Sequence, residues 1–308
     1  RGELLDDLGV AAAGQGRLDL ALRCHLKAIL IAPQLAGPWF NQAAVLARMG
    51  MEDDALLVLD EGLKREPERV RGYRDKGVLL RNLGRIPEAL AAFAAALERD
   101  PDDVATLSSS GLALQAGGAL EAGLSRLQRA ASLGPERVTV QVHLGLGLRA
   151  VGRLDDALVA FQRARALAPT APAVLMPLGG LLSLMGDHAG ALGVLGPAAT
   201  ASPDDAGVLM SLGVAQLRAG QAAAARASFE RVLGLTPDSA AAHQGLATAL
   251  GRLGLAAEHL ASLRRAVEVN PNHGPAVAAL VRGLRSRCLW AELPPLSARL
   301  DRANSAAI

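Results

Sequence analysis

Prolines recur along this chain at a fixed interval of 34 residues, and no other feature constrains its fold as strongly. The eight members of this series are Pro33, Pro67, Pro101, Pro135, Pro169, Pro203, Pro237 and Pro271. A glycine series keeps the same period in phase with it, at Gly16, Gly50, Gly84, Gly118, Gly152, Gly186, Gly220 and Gly254. Two residue types that hold one period over eight units indicate a tandem array of one small supersecondary unit.

Each repeat has the pattern of a helical hairpin. About a dozen residues with helical character precede each turn glycine, a position at a helix end where positive φ is favoured. Acidic residues soon after the glycine suit the positive end of a helix dipole: Asp19, Asp53, Glu88, Glu121, Asp155 and Asp187. The proline ends the second helix because it has no N–H to continue it. Each repeat is therefore predicted to be helix A, a tight turn, helix B and a proline turn.

Small and large apolar residues at fixed registers predict how the two helices pack. Apolar residues form 51% of the chain but aromatic residues only 2%, so Ala, Leu, Val and Gly must form the core. Helix A carries a small residue at Gly9, Ala43, Gly77, Gly111, Gly145, Gly179, Gly213 and Ala247. Helix B carries a larger one at Leu59, Phe93, Leu127, Phe161, Leu195, Phe229 and Leu263. Ridges of large side chains fit grooves made by small ones, so an all-α fold is expected.

The order of small residue, turn glycine, alanine, Phe or Leu, alanine and proline at this period resembles the tetratricopeptide repeat family. The resemblance covers roughly residues 2–272 and implies a right-handed superhelical solenoid whose concave groove is lined by the A helices. It also implies a protein or peptide ligand in that groove. We expect eight tandem repeats in residues 1–272, a capping helix in 273–287 and a junction helix in 288–308.

A polar series on helix A is the first candidate for ligand contacts. Two residues before the small residue of helix A, the sequence has Asp7, Asn41, Asp75, Ser109, His143, Pro177, Ser211 and Gly245. Six of these eight side chains can form hydrogen bonds, and polar groups at a regular interval suit the evenly spaced amides of an extended peptide. The alternative, that these are simply solvated helix positions, stays open.

A basic cluster is the second candidate. Arg48, Arg71, Arg74 and Arg81 lie in the second and third repeats, and they suit an acidic peptide or a C-terminal carboxylate. Arg48 and Arg81 fall in the last turn of helix A, where the helix dipole favours a cation for structural reasons alone. Arg71 and Arg74 lie near the start of their helix, where the dipole disfavours a cation, so they are the stronger candidates for binding.

The sixth repeat departs from the pattern. Pro177 falls inside its helix A beside Gly179 and Gly180, and Pro197 falls inside its helix B. An interior proline destabilises a helix by roughly 3 kcal/mol relative to alanine, and a glycine by roughly 1 kcal/mol. We expect the array to bend or fray here, as a hinge between the repeats on either side. A tolerated local kink is the alternative.

The composition argues against several classes of function. The formal net charge is +2, from 32 basic and 30 acidic residues, so the chain lacks the basic excess typical of nucleic-acid-binding proteins. No apolar run reaches the roughly 18 residues that cross a bilayer, and no membrane partner is expected. Cys24 and Cys288 lie near opposite ends of the sequence, so we expect free thiols and a cytoplasmic location.

No residues stand out with the spacing of a catalytic or metal site. The six histidines show no paired spacing with cysteines or carboxylates, so we expect no metal, no cofactor and no enzymatic activity from this chain itself. His143 is interpreted as a polar groove residue in preference to a general base. No Ser-His-Asp arrangement follows from the spacing.

The residues after the array suggest what the repeats serve. Arg287, Cys288 and Trp290, followed by a Leu- and Arg-containing stretch over 296–300, resemble the junction in bacterial SPINDLY-like relatives of the O-linked N-acetylglucosamine transferases. That resemblance implies repeats that present protein substrates to a nucleotide-sugar-dependent domain outside this chain. The sequence also opens inside a helical pattern, as a piece of a longer protein would. The alternative is a stand-alone scaffold for complex assembly, and apolar array ends would favour self-association.

Overall fold

A computed structural model describes residues 1–289 and residue 293, and this part of the chain forms seventeen α-helices and no β-strand. The expected all-α class is confirmed. In every repeat helix A has 13 residues and helix B has 14. The odd-numbered helices α1 to α15 are the A helices and the even-numbered helices α2 to α16 are the B helices.

The chain divides into two compact units, Arg1–Ala160 and Phe161–Ile308. The first contains α1 (Gly2–Gly14), α2 (Leu18–Ile31), α3 (Ala36–Arg48), α4 (Glu52–Arg65), α5 (Val70–Asn82), α6 (Ile86–Arg99), α7 (Val104–Ala116), α8 (Leu120–Leu133) and α9 (Val138–Ala150). Helix α10 (Leu154–Leu167) begins in it. Within this unit each helix A from α1 to α7 packs against helix B of its own repeat, and that helix B packs against the next helix A.

The second compact unit repeats the same arrangement. It contains α11 (Pro172–Leu184), α12 (His188–Ala201), α13 (Ala206–Arg218), α14 (Ala222–Leu235), α15 (Ala240–Arg252), α16 (Ala256–Val269) and α17 (Gly274–Arg285). Helix α17 packs on α16 and continues the stack with the buried side chains of Val277, Leu280 and Leu284. Trp290 and the stretch 296–300 lie outside the described residues, so the capping and junction assignments stay predictions.

The turn glycines adopt the conformation that their position predicts. All eight have positive φ, from +76° at Gly16 to +87° at Gly118. At Gly118 no atom lies within 4 Å of the place that a Cβ would take, so backbone conformation and not packing requires glycine there. The glycine series of the sequence thus marks the turn between helix A and helix B of each repeat.

The small residues of helix A face the large residues of helix B in the same repeat. A Cβ on Gly77 would lie 2.6 Å from the ring of Phe93, and one on Gly213 would lie 2.9 Å from the ring of Phe229. Both phenylalanines have no exposed surface. The predicted interlocking of ridges and grooves is therefore confirmed at these registers.

The proline turns are closed from outside by arginines of the following repeat. Nε of Arg65 donates to the carbonyl oxygen of Pro33 at 2.6 Å, and Nε of Arg99 donates to that of Pro67 at 2.7 Å. The guanidinium of Arg99 also stacks 4.3 Å from the ring centre of Tyr73. Both accepting carbonyls lie in the turn after helix B, so the arginines satisfy polar groups that lie outside the helices.

The two helices of the sixth repeat are continuous. Helix α11 runs through Pro177 and α12 runs through Pro197, and both have the same lengths as their counterparts elsewhere. Neither helix therefore breaks at its interior proline, because packing in the repeat holds both helices despite the lost N–H donors. The expected fraying and the expected bend stay predictions.

Candidate functional site

Most of the candidate residues lie on one face of the first compact unit. We call it the helix A face and define it as the surface of α1, α3, α5, α7 and α9 at the register of these residues. Helix α1 packs against α3, and α7 packs against both α5 and α9. Because side chains 34 residues apart occupy equivalent positions in the repeats, the polar series falls along this one face.

A pocket of about 290 Å³ lies between α3 and α5. Its walls are mainly apolar, with Phe40, Ala44, and Val78 among the lining side chains. Arg48 and Asp75 bring a positive and a negative charge to the same pocket. An apolar pocket with a few charged groups is the usual form of a recognition site for a side chain.

Arg71 and Arg74, the preferred cationic candidates, already have carboxylate partners. Nε of Arg71 lies 3.3 Å from Oδ2 of Asp75, and 68% of the Arg71 side chain is exposed. Arg74 is more buried and lies 3.5 Å from Oδ1 of Asp75 and 3.6 Å from Oδ2 of Asp103. Exposed pairs of this kind contribute little to stability, so Arg71 remains available to a ligand, whereas Arg74 is held within a network.

Arg81, on α5, and His143, on α9, are two further candidates on this face. Oγ of Ser108 lies 2.6 Å from Nδ1 of His143, so α7 and α9 are joined by a hydrogen bond. Burial first, and then repulsion from Arg81, together lower the pKa of His143 to about 4. Burial also lowers the pKa of Arg81 from its ordinary value, although an arginine stays charged at neutral pH. His143 is therefore neutral and Arg81 cationic under ordinary conditions.

Arg48 has a structural contact in addition to its place at the pocket. Its Nη1 donates to the carbonyl oxygen of Ala13 at 2.7 Å, in the last turn of α1. In the second compact unit, Nη1 of Arg252 donates in the same way to the carbonyl oxygen of Leu217. An arginine at this register thus caps helix A of the preceding repeat.

The first repeat contains a polar cluster that the sequence reasoning missed. Asp7 is exposed, whereas the preceding residue, Asp6, accepts a hydrogen bond from Nδ2 of Asn41 at 2.9 Å and lies 2.6 Å from Nδ1 of His25. His25 is fully buried, and its ring lies where a Cβ on Gly9 would clash. The sequence could have indicated this cluster, because His25 occupies the helix B position at which the next seven repeats have Leu or Phe.

The remaining members of the polar series are distributed between the two compact units. Ser109 is half-buried and has no hydrogen-bond partner within the described residues. Ser211 lies in the second compact unit, where its hydroxyl donates to the carbonyl oxygen of Gly207 at 2.9 Å. Asn41, Asp75 and His143 are engaged with neighbouring side chains, so the series is not a row of free polar groups.

The described part of the chain contains neither a metal site nor a helix that could span a membrane. Across residues 1–289 and 293, no three side chains of His, Cys, Asp or Glu come together in a way that would hold a metal ion. None of the helices in that part of the chain combines the length and apolarity that a membrane crossing requires.

Comparison with known proteins identifies the repeat. Sequence models described as tetratricopeptide repeat match residues 40–104, 182–250 and 216–284, which together exceed half of the chain. No curated protein sequence matches the chain significantly.

Solved structures agree with this assignment. A chain of the APC/C hetero-tetramer Cut9-Hcn1 is similar at a TM-score of 0.67 and 20% identity, over 87% of this chain and 52% of that one. A tetratricopeptide repeat protein from Parabacteroides merdae ATCC 43184 is similar at a TM-score of 0.65 and 16% identity, over 81% of this chain and 98% of that one. The chain therefore spans about half the length of the first relative. At these identities the likeness shows the fold alone, which is a tetratricopeptide repeat solenoid.

Proposed function

Because this chain belongs to the tetratricopeptide repeat family, we propose that it is an interaction module that binds an extended segment of another protein on its helix A face. The observation that carries the proposal is the pocket between α3 and α5, where apolar walls meet one cationic and one anionic side chain. Repeat arrays present extended binding surfaces, and extended peptides are recognised through main-chain hydrogen bonds and pockets for their side chains.

The proposed binding mode combines an apolar contact in the pocket with polar contacts along the helix A face. An apolar side chain of the ligand enters the pocket beside Phe40 and Val78, where it is removed from water. Polar groups along the face then orient the ligand backbone. The residues proposed for these contacts are Asp7, Asn41, Asp75, Ser109, His143, Arg48, Arg71, Arg74 and Arg81 in the first compact unit, with Ser211 in the second.

A pocket-filling variant tests this function. Peptides are selected from a random library on the full chain, and their dissociation constants are measured by fluorescence anisotropy. We expect Val78→Arg to weaken binding at least tenfold, because the larger charged side chain occupies the pocket. Leu57→Arg is the matched control, since Leu57 is 68% exposed on helix B and does not line this pocket. Undiminished binding to a folded Val78→Arg chain would contradict the proposal.

We also propose a role for the module within a larger assembly, namely recruitment of protein substrates for a glycosyltransferase of the O-linked N-acetylglucosamine transferase type. The support is the sequence Arg287–Cys288–Leu289–Trp290 after the repeats. A stand-alone cytoplasmic scaffold, able to self-associate through its array ends, is the other candidate. The intact mass of the native gene product distinguishes them: a mass near 31.7 kDa favours the scaffold, and a much larger mass favours the recruiting arm.

A further inference from the structure

Helix α2 carries exposed leucines at positions that are polar or small in the other B helices. Leu26 is 43% exposed and Leu30 is 82% exposed, one turn apart on the same side of the helix. At these two registers the next seven repeats have only Asp, Glu, Lys, Arg, Gln, Ser, Thr, Ala or Gly. A single exposed leucine is common, but neighbouring ones confined to one repeat indicate a contact surface.

Two cations lie between these leucines along α2 and have no carboxylate partner. Arg23 and Lys27 are both exposed. Within the described part of the chain Lys27 forms no ion pair, and Arg23 donates from Nε to the carbonyl oxygen of Asp19 at 3.3 Å but pairs with no carboxylate. An apolar surface with uncompensated positive charge suits a partner surface that is apolar and acidic.

A second pocket, also of about 290 Å³, lies between α4, α5 and α6. Leu56 and Leu80, both buried, form part of its apolar wall. This second pocket shares no lining residue with the pocket between α3 and α5. The two pockets can therefore be filled independently.

The charges around the second pocket leave one carboxylate poorly compensated. Nζ of Lys76 lies 2.6 Å from Oδ1 of Asp60, and Nη2 of Arg85 lies 2.6 Å from Oε2 of Glu88. The side chain of Asp53 is 85% exposed, and its Oδ1 lies 4.0 Å from Nη1 of Arg85. Three carboxylates and two cations line the pocket, so its net charge is negative, opposite to the charge that is unpaired on α2.

The exposed leucines and the second pocket face the same side of the first compact unit. Arg23 and Leu26 occupy in the first repeat the registers of Leu57 and Asp60 in the second, and Leu57 and Asp60 line the pocket. Helices α2 and α4 both pack on α3. We call this surface the helix B face and define it as the exposed sides of α2 and α4 at these registers.

We propose that two copies of this chain associate through the helix B face, with α2 of each copy covering the second pocket of the other. In a dimer with a two-fold axis each contact occurs twice, so the basic and the acidic parts of the face are both matched. The leucines of α2 lose water over the apolar wall, and Lys27 comes near Asp53. An anionic lipid surface fits this face less well, because it would repel Asp53.

This association goes beyond the proposed function because it leaves the helix A face free. A dimer carries two such faces. A ligand with two binding segments would therefore be held more tightly than by one chain, without any new contact on either face.

Sedimentation equilibrium of the full chain tests the association. We expect the mass to rise with concentration from 31.7 kDa toward twice that value, and Leu30→Glu should raise the dissociation constant of the dimer at least tenfold. Leu4→Glu is the matched control, because Leu4 is 71% exposed in the same repeat but lies on α1, outside the helix B face. A monomeric wild type at every concentration, or a dimer that responds to Leu4→Glu and not to Leu30→Glu, would overturn the proposal.

A charge exchange tests the pairing between copies. Lys27→Glu and Asp53→Lys should each weaken self-association at least tenfold, because each places like charges in both contacts of the dimer. A mixture of the two variants should associate about as tightly as the wild type, since both contacts then join opposite charges. Arg163→Glu is the control for net charge, because Arg163 is exposed at the register of Lys27 in the fifth repeat. A mixture that associates no better than either variant alone would contradict the pairing.

The remaining outcomes separate this dimer from a lipid surface and from the proposed function. Vesicles of phosphatidylserine and phosphatidylcholine in equal amounts should not bind the chain, and binding that Leu30→Glu abolishes would replace the second copy by a membrane. Leu57→Arg should weaken the dimer without changing peptide affinity, since Leu57 lines only the second pocket. A dimer that Val78→Arg disrupts would place the contact on the helix A face and refute the proposal. If the charge exchange succeeds while no selected peptide responds to Val78→Arg, the dimer holds and the proposed function is wrong.

Discussion

Acidification should destabilise the first compact unit through His143. The pKa of this imidazole is lowered from 6.5 to about 4, first by burial and then by Arg81. In the unfolded chain the group regains its ordinary pKa. Between these two values the unfolded form binds more protons than the folded form, so the free energy of unfolding falls as the pH falls. Below pH 4 both forms are protonated and this contribution stays constant.

The size of the effect follows from the shift. Each unit of pKa corresponds to about 1.36 kcal/mol, so the full change from His143 is about 3 kcal/mol. Over the experimentally convenient interval from pH 7 to pH 4.5, most of that change is reached and we expect roughly 2 kcal/mol. A typical domain has a free energy of unfolding of about 5–15 kcal/mol, so the effect is well within measurement.

The assay compares the wild type with His143→Asn, which is neutral at every pH and keeps an acceptor for Ser108. Urea denaturation is followed by the fluorescence of Trp39 in a Trp290→Phe background, so that the signal reports α3 in the first compact unit. The wild type should lose roughly 2 kcal/mol more than the variant between pH 7 and pH 4.5. Equal losses, or an NMR titration midpoint of His143 near 6.5, would refute the reasoning.

Four further predictions concern packing, side-chain exposure and helix stability. Gly77→Ala should lower the free energy of unfolding by about 1–3 kcal/mol in urea denaturation, because its Cβ would lie 2.6 Å from Phe93. Gly180→Ala, whose Cβ meets nothing within 4 Å, should raise it by up to about 1 kcal/mol; a loss as large as that of Gly77→Ala would contradict the packing argument. A thiol reagent should label exposed Cys288 at once and buried Cys24 only after denaturation; two fast thiols would exclude this burial. Hydrogen exchange measured by mass spectrometry should be faster in α11 and α12 than in α13 to α16, and equal protection would remove the hinge.

The fold was predictable from the sequence because two of its constraints are local. A proline disfavours continuation of a helix, so the prolines spaced 34 residues apart indicate where each helix B ends. The turn at Gly16 and its equivalents has positive φ, which glycine adopts most readily. The ends of the helices in each repeat can therefore be predicted from the sequence of that repeat alone. The continuity of α11 through Pro177 was not predictable in this way, since packing against neighbouring helices decides whether a helix tolerates an interior proline.

The candidate site was less predictable because its side chains are paired between repeats. Asp6 contacts Asn41 and Ser108 contacts His143, and in both pairs the residues are 35 apart, one more than the repeat length. Equivalent positions of successive repeats are 34 residues apart. Comparing them along the chain therefore did not detect pairs that are 35 residues apart. Arg81 also has no ion-pair partner among the described residues, which sequence spacing does not reveal.

The closure of the proline turns gives the array a direction. The carbonyl of Pro33 is satisfied by Arg65, and that of Pro67 by Arg99, so these two turns depend on a donor encoded in the repeat that follows each of them. Removing a repeat from the C-terminal side strips the preceding turn of its donor, whereas removing one from the N-terminal side takes away only an acceptor and leaves an arginine that water can solvate. Arrays shortened from the two ends to the same length should therefore differ in stability, and loss of structure should spread more readily toward the N-terminus than away from it.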